Sequence, residues 1–237
     1  MLNQLPVWDK LAKVIIWKQI GELKGKTILD FGSGTGITAD HYAADNHVIA
    51  IEPSEEMLAK QVNTNGYQQI VGSTNELKKL QSESFDYIFC HNVLEYVDDR
   101  EEIVREFYRL LKPNGKLSIV KHNRNGRMMQ MVVLLNNFDE ANDLLDGHNS
   151  SAQLFGTINY YADSNIAEWC DGFALQESYG LRTFWDLQQN QEIQKDDDWQ
   201  KKMIDIEMRV SQKPDFQKIA FFHHLIFEKG KKMLTTI

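Results

Sequence analysis

Ile28-Leu29-Asp30-Phe31-Gly32-Ser33-Gly34-Thr35-Gly36 decides how this chain is read. Thr27, Ile28 and Leu29 favour a buried strand, the glycines make a tight turn, and a helical pattern opens near Ile37. Strand, turn and helix N-terminus gather unpaired backbone N–H groups at one point, and glycines let a ligand approach the backbone there. Asp30, just before the glycines, would repel a diphosphate and attract a cation. The glycines fall at 32, 34 and 36, and Ile37 stands where the dinucleotide fingerprint needs its third glycine. A second carboxylate, Glu52, ends the apolar run Val48-Ile49-Ala50-Ile51. It follows Gly32 by about 20 residues, the distance at which a strand-turn-helix-strand unit holds a ribose. Together these features point to a sulfonium nucleoside, S-adenosylmethionine, and away from a nicotinamide dinucleotide.

The 237 residues suffice for one large α/β domain or a domain with an elaborated lid. No apolar run approaches the ~20 residues of a membrane span. Met1 to Lys10 lacks a charged-then-apolar leader pattern. Cys90 and Cys170 make neither a disulfide framework nor a zinc site; both lie in apolar surroundings and read as buried thiols. The expected compartment is the cytoplasm, with no membrane and no metal. A formal net charge of -8 argues against a protein that coats nucleic acid nonspecifically, while leaving room for a local basic patch.

Residues 8–20 carry Trp8, Leu11, Ala12, Ile15, Ile16 and Ile20 near one helical face. Strands are expected at 27–31, 47–51, 68–72 and 85–90, and from Lys116 to Lys121 after a Pro113-Asn114-Gly115 turn. Helices are expected at 36–44, from Ser54 as N-cap through Val62, and at 100–111. This alternation predicts a Rossmann-like, doubly wound α/β fold with a mostly parallel sheet. Residues 122–160 read as irregular, with a Met-rich stretch at 128–135. Beyond them a helix near 163–171, a strand near 174–185, a helix from Asp196 and a last strand from Phe221 to Phe227 are expected. The expected organisation is a single domain over 1–237: an N-terminal helix at 8–20, a cofactor-binding half at 25–121, a lid inserted after strand five at 122–160, and C-terminal helices and strands at 161–230.

I-L-D-F-G-S-G-T-G, A-I-E-P-S-E-E-M-L, F-D-Y-I-F-C-H-N-V-L-E-Y-V and L-L-K-P-N-G-K-L resemble the class I S-adenosylmethionine-dependent methyltransferases in order and spacing. The resemblance implies a seven-stranded sheet with one reversed strand. A narrower resemblance runs through the second half. His91-Asn92-Val93-Leu94-Glu95-Tyr96, His122-Asn123-Arg124-Asn125-Gly126, Asn137-Phe138-Asp139, Gly180-Leu181-Arg182-Thr183-Phe184 and Ile206-Glu207-Met208-Arg209 look like the bacterial tRNA 5-carboxymethoxyuridine methyltransferases. That family methylates the carboxylate of a modified wobble uridine. The chain departs from it at Ala12, near a basic position of the family, and at Ser73, Thr74 and Asn75, where the superfamily often has an acid facing the adenine amino group.

On this basis Gly32, Ser33, Gly34 and Gly36 would carry the methionine part of the cofactor, and Asp30 its ammonium. Glu52 would accept both ribose hydroxyls, a bidentate task suited to a carboxylate. Pro53, Met57, Ser73, Thr74 and Asn75 would line the adenine, with the Asn75 amide oxygen replacing the missing acid. The plainer alternatives are a turn cap for Asp30, an exposed helix-start acid for Glu52 and core packing for Met57. His91 and Asn92 are the candidate catalytic residues. A carboxylate acceptor, with a pKa of about 4, is already a nucleophile at neutral pH, so His91 is expected chiefly as a cofactor wall. A hydroxyl acceptor would make it a general base. Lys121, Arg124 and Arg127 form the densest basic cluster near the expected site, for RNA phosphate or the substrate carboxylate, and Arg182 joins them. Their alternative is a solvated loop, and for Arg182 and Arg209 an ion pair with an acid such as Glu207. Met128, Met129 and Met131 suit a core-facing helix better than a lid, and Lys229, Lys231 and Lys232 read as a mobile basic tail. The functions left open are methylation of a modified tRNA, a small-molecule O- or N-methyltransferase, and a cofactor-binding module without transfer activity.

Overall fold

The sheet is built outward from Thr27–Phe31 (β1), which the computed structural model flanks with parallel His47–Glu52 (β2) and Phe85–His91 (β4). The structure describes Leu2, residues 5–152 and residues 156–230. Gln68–Val71 (β3) lies parallel on the far side of β2, with Ile51 opposite Ile70. Leu111–His122 (β5), Phe173–Leu181 (β8) and Phe222–Lys229 (β9) complete seven mostly parallel strands in the order β3-β2-β1-β4-β5-β9-β8. Ser150–Ala152 (β6) and Gly156–Ile158 (β7) pair antiparallel as a separate ribbon after β5. The chain divides into two compact units.

One unit holds Leu23–Ile119, Ala162–Glu177 and the residues from Leu225 on. Ile28 and Leu29 in β1, and Ile88 and Phe89 in β4, are wholly buried, as a sheet covered on both faces requires. Ile37–Ala43 (α2), Glu55–Leu58 (α3), Thr74–Leu77 (α4), Arg100–Leu110 (α5) and Asn165–Trp169 (α8) are its helices. In α5, Ile103, Val104, Phe107 and Leu110 recur at helical spacing and are all buried, with the Phe107 ring edge-on to Phe31. Ser54 caps α3 as expected, accepting from Met57 N at 3.3 Å. The helix stops at Leu58 instead of reaching Val62, because Val62 N–H is spent on Thr35 O at 2.8 Å. Strand pairing of β5 begins at Leu111 rather than Lys116; Asn114 takes the tight bend with φ +62°. Cys90 is buried, whereas Cys170 is only partly so; both are free thiols, and burial pushes both thiol pKa values up. Lys229 belongs to no tail: it closes β9 with its Nζ on Leu111 O at 2.7 Å and over the Tyr108 ring. Lys231 and Lys232 lie outside the described residues.

The other unit holds the residues up to Glu22, Val120–Tyr161 and Ser178–His224. Val7–Ile20 (α1) buries Leu11, Ala12, Ile15 and Ile16 with Val120, Leu181, Trp185, Phe221 and Phe222. Trp8, expected near that face, is 49% exposed. Residues 122–160 are not irregular. They form Arg124–Val133 (α6), Phe138–Leu145 (α7) and the β6–β7 ribbon. Asn123 and Asn137 cap the two helices, accepting from Asn125 N and Glu140 N. A glycine inside α6 and asparagines at both helix starts hid these helices from propensity. Met131 is the core residue of the Met-rich stretch, against Ala141 and Leu144, while Met128 is partly buried. Asp197–Val210 (α9) and Pro214–Gln217 (α10) follow, Asp196 capping α9 through Trp199 N. Strand β8 ends at Leu181 instead of 185, because Arg182 has φ +59° and Glu207 captures the next three backbone N–H groups.

Candidate functional site

Asp30 occupies the last buried position but one of β1, and is 3% exposed. The chain then turns: Gly32 N and Ser33 N both donate to Ile51 O, at 2.9 and 3.1 Å, and Gly36 N closes back on Ser33 O at 2.9 Å. Gly32 and Gly36 are obligatory for different neighbours. At φ +73°, a Cβ on Gly32 would sit 2.3 Å from Val93 Cγ2. At φ +76°, one on Gly36 would sit 1.8 Å from Tyr67 Oη. Gly34, also left-handed, faces open space. The turn is therefore packed from behind at both ends and open at its middle.

Glu52, at the end of β2, is 7% exposed, which excludes the exposed helix-start acid. Its Oε2 accepts from Gly34 N and its Oε1 from Ser54 N, each at 2.8 Å. Each oxygen keeps a further lone pair, so the carboxylate shapes the turn and can still accept hydroxyl protons. Ser33 Oγ is buried and has no hydrogen-bond partner among the described residues. A buried hydroxyl left with its bonding capacity, beside an open glycine and a buried carboxylate, suits a polar, partly cationic ligand.

Met57 is partly buried, whereas Pro53, Ser73 and Asn75 are exposed and Thr74 partly so. Ser73, Thr74 and Asn75 form the start of α4, after the end of β3. His91 closes β4, beside β1, with its Nε2 2.8 Å from Oγ of the fully buried Ser118. Asn92 follows, exposed, with φ +56°. Burial raises the Cys90 thiol pKa, and the Glu95 and Asp30 carboxylates push it further up. Among the described residues no group of three or more His, Cys, Asp or Glu is placed to hold a metal ion.

The basic candidates lie in the other unit. Lys121 is 4% exposed, with Nζ 4.6 Å from the centre of the Tyr161 ring. Arg124 stacks on Tyr160 at 4.7 Å and donates to His148 O. Arg127 donates to Gln130 Oε1 at 2.6 Å and pairs with Glu140 at 3.4 Å. Arg182 is buried and pairs with Asp186, not Glu207, through its Nε at 2.8 Å and a second, shorter contact. Gln130 donates to the same Asp186 at 3.0 Å. Ser118, Asp186 and Gln130 escaped sequence reasoning, since nothing local marks them. Asp40, fully buried in α2, also escaped, since in the chain it is an ordinary helix-start acid and its partners Thr64 and Asn65 lie over twenty positions away.

Residues 29–119 match the model of the "Methyltransferase domain" family. The tRNA 5-carboxymethoxyuridine methyltransferase of Escherichia coli K12 is 25% identical over 96% of this chain and 88% of its own. A ubiquinone biosynthesis O-methyltransferase of Xanthomonas oryzae is 33% identical, over 48% of this chain and 50% of its own. An S-adenosylmethionine-dependent methyltransferase from Mesorhizobium loti shares the fold, with a TM-score of 0.56 at 16% identity over 97% of this chain and all of that one. Residues 29–119, which hold the glycine turn, Glu52 and His91, are an S-adenosylmethionine-dependent methyltransferase domain.

Proposed function

We propose that this enzyme methylates the carboxylate of a modified wobble uridine in tRNA. The observation that carries the reading is where the relatives match. The E. coli tRNA enzyme aligns over 96% of the chain, second half included, whereas the Xanthomonas enzyme aligns over 48%. The cofactor supplies an electrophilic methyl group on a sulfonium. Asp30 takes the ammonium of its methionine part, the 32–36 turn takes the adjoining chain, Glu52 takes the ribose hydroxyls, and Met57 with the 73–75 turn borders the adenine. His91, already engaged with Ser118, serves as a wall; a carboxylate acceptor at neutral pH needs positioning and exclusion of water more than proton removal. Arg124 and Arg127 are only partly buried and are assigned to RNA phosphate or the acceptor carboxylate, together with the buried Lys121 and Arg182. On this reading the enzyme works in the cytoplasm on tRNA. The half-chain likeness to a small-molecule enzyme and the net charge of -8 favour a second reading, O-methylation of a small acceptor.

Mass spectrometry of tRNA nucleosides from a deletion strain decides between the two. Loss of the methyl ester with accumulation of the free acid is expected, and an unaltered nucleoside profile would sink the tRNA reading. In binding assays, changing Arg124 and Arg127 together to Ala should weaken tRNA affinity about tenfold at moderate salt and flatten its salt dependence. Unchanged binding would remove this patch from the proposal. For the cofactor, Glu52→Ala should raise the dissociation constant at least about tenfold, since two hydroxyl bonds and the brace on Gly34 go together. A calorimetric value equal to wild type would refute the ribose assignment.

A further inference from the structure

The surface behind the glycine turn is held by a single buried carboxylate. Asp40 is 0% exposed, one turn into α2, with its own N–H on Gly36 O at 2.8 Å. Its Oδ1 accepts from Thr64 N at 2.5 Å and Asn65 N at 2.7 Å. Its Oδ2 accepts from Thr64 Oγ1 at 2.8 Å and Asn65 Nδ2 at 3.3 Å, and Asn65 Nδ2 also reaches Asp40 O at 2.9 Å. Four donors converging on one side chain suit an acceptor-only group.

What Asp40 holds is the 59–67 loop, and that loop touches the turn twice. Val62 N donates to Thr35 O at 2.8 Å. Tyr67 Oη stands where a Gly36 side chain would begin, held there by Gln61 Nε2 at 3.0 Å. Asn63 fixes the tyrosine backbone, accepting from Tyr67 N at 3.0 Å and donating to Tyr67 O at 2.9 Å. Burial raises the Tyr67 pKa, the Gln61 bond lowers it, and the Asp30 and Asp40 carboxylates raise it, so this hydroxyl stays protonated within the field of Asp30.

We propose that Asp40 is a positioning residue for the cofactor: by locking residues 61–67 against α2 it sets the height of Tyr67 under Gly36 and hence the shape of the turn that receives the methionine part. The inference rests on assigning the cofactor to that turn. A turn shifted by a fraction of an ångström misplaces several donors at once, which is why a residue outside the ligand's reach governs its affinity.

The test is calorimetric titration with S-adenosylmethionine, alongside thermal melting of the ligand-free protein. Asp40→Ala should raise the dissociation constant about tenfold, and Asp40→Asn, whose Oδ1 can still accept from Thr64 N and Asn65 N, should recover most of that loss. Thr64→Val removes one bond to Asp40 without changing shape, and covers the case in which Asp40→Ala does not fold; it should weaken binding about threefold. Lowered melting temperatures with dissociation constants equal to wild type would overturn the proposal, leaving Asp40 as a brace for the fold alone. Glu52→Ala is measured in parallel. If it weakens binding and the Asp40 and Thr64 variants do not, the positioning role is wrong; if none of them does, the cofactor assignment falls and the proposal with it.

Discussion

Gly126→Ala is expected to destabilise the protein by about 3 kcal/mol, the upper end of what overpacking usually costs. The added Cβ would lie 2.1 Å from Ala220 O, 2.5 Å from its carbonyl carbon and 2.6 Å from Phe221 Cα. All three are backbone atoms, so no side chain can rotate out of the way. Nor can the start of α6 slide, because Asn123 N donates to Phe221 O at 3.0 Å and Asn123 Nδ2 to Ala220 O at 2.8 Å. Relief requires breaking these bonds, and Arg124 and Arg127 on the same helix would move with it. Denaturant unfolding reads the effect directly; a loss below about 0.5 kcal/mol, the scatter of ordinary surface changes, would show that the contact yields.

Glu207→Ala should cost about 3–5 kcal/mol. Glu207 is 1% exposed, and its oxygens accept from Thr183 N and Phe184 N at 2.8 Å and from Trp185 N at 3.1 Å. Truncation leaves three donors without an acceptor, those of the buried Thr183 and Trp185 included, and frees the turn that orients Arg182 towards Asp186. Burial pushes the Glu207 carboxyl above the ordinary carboxylate range; the three N–H bonds pull it down by less, and Asp186 adds to the rise. A carboxyl with a raised folded-state pKa contributes stability in full below its unfolded pKa, and loses it as pH rises through the folded value. The stability of wild type relative to Glu207→Gln, which cannot ionise, should therefore fall across that window. A difference independent of pH would contradict the raised value.

The half expected to bind the cofactor was legible because its signals are local. The β1 boundaries fall where apolar residues meet Gly32, Ser54 caps α3, and α5 buries the apolar positions its spacing marks. Local rules failed where a distant group overrode them. The helix after Ser54 ends early because Val62 bonds to Thr35, and β8 ends early because Glu207, over twenty positions away, takes its next N–H groups. The N-terminal helix was legible while the exposure of Trp8 was not, since periodicity places a ring on a helix face without saying whether anything covers it.

The same division runs through the site. By itself the sequence determined a strand, a glycine turn and two carboxylates, one near the end of β1 and one ending β2, because covalent order sets these distances along any such unit. Which charges are available was decided only by tertiary structure. Arg182 is spent on Asp186, Lys121 is buried at Tyr161, and Lys229, read as part of a loose tail, is buried on Leu111 O. A charge is committed by what faces it, and partners brought from tens of residues away carry no mark in the local sequence. Asp40 is the clearest case: an ordinary helix-start acid in the chain, and in the fold the acceptor for four donors beneath the turn with which the reading began.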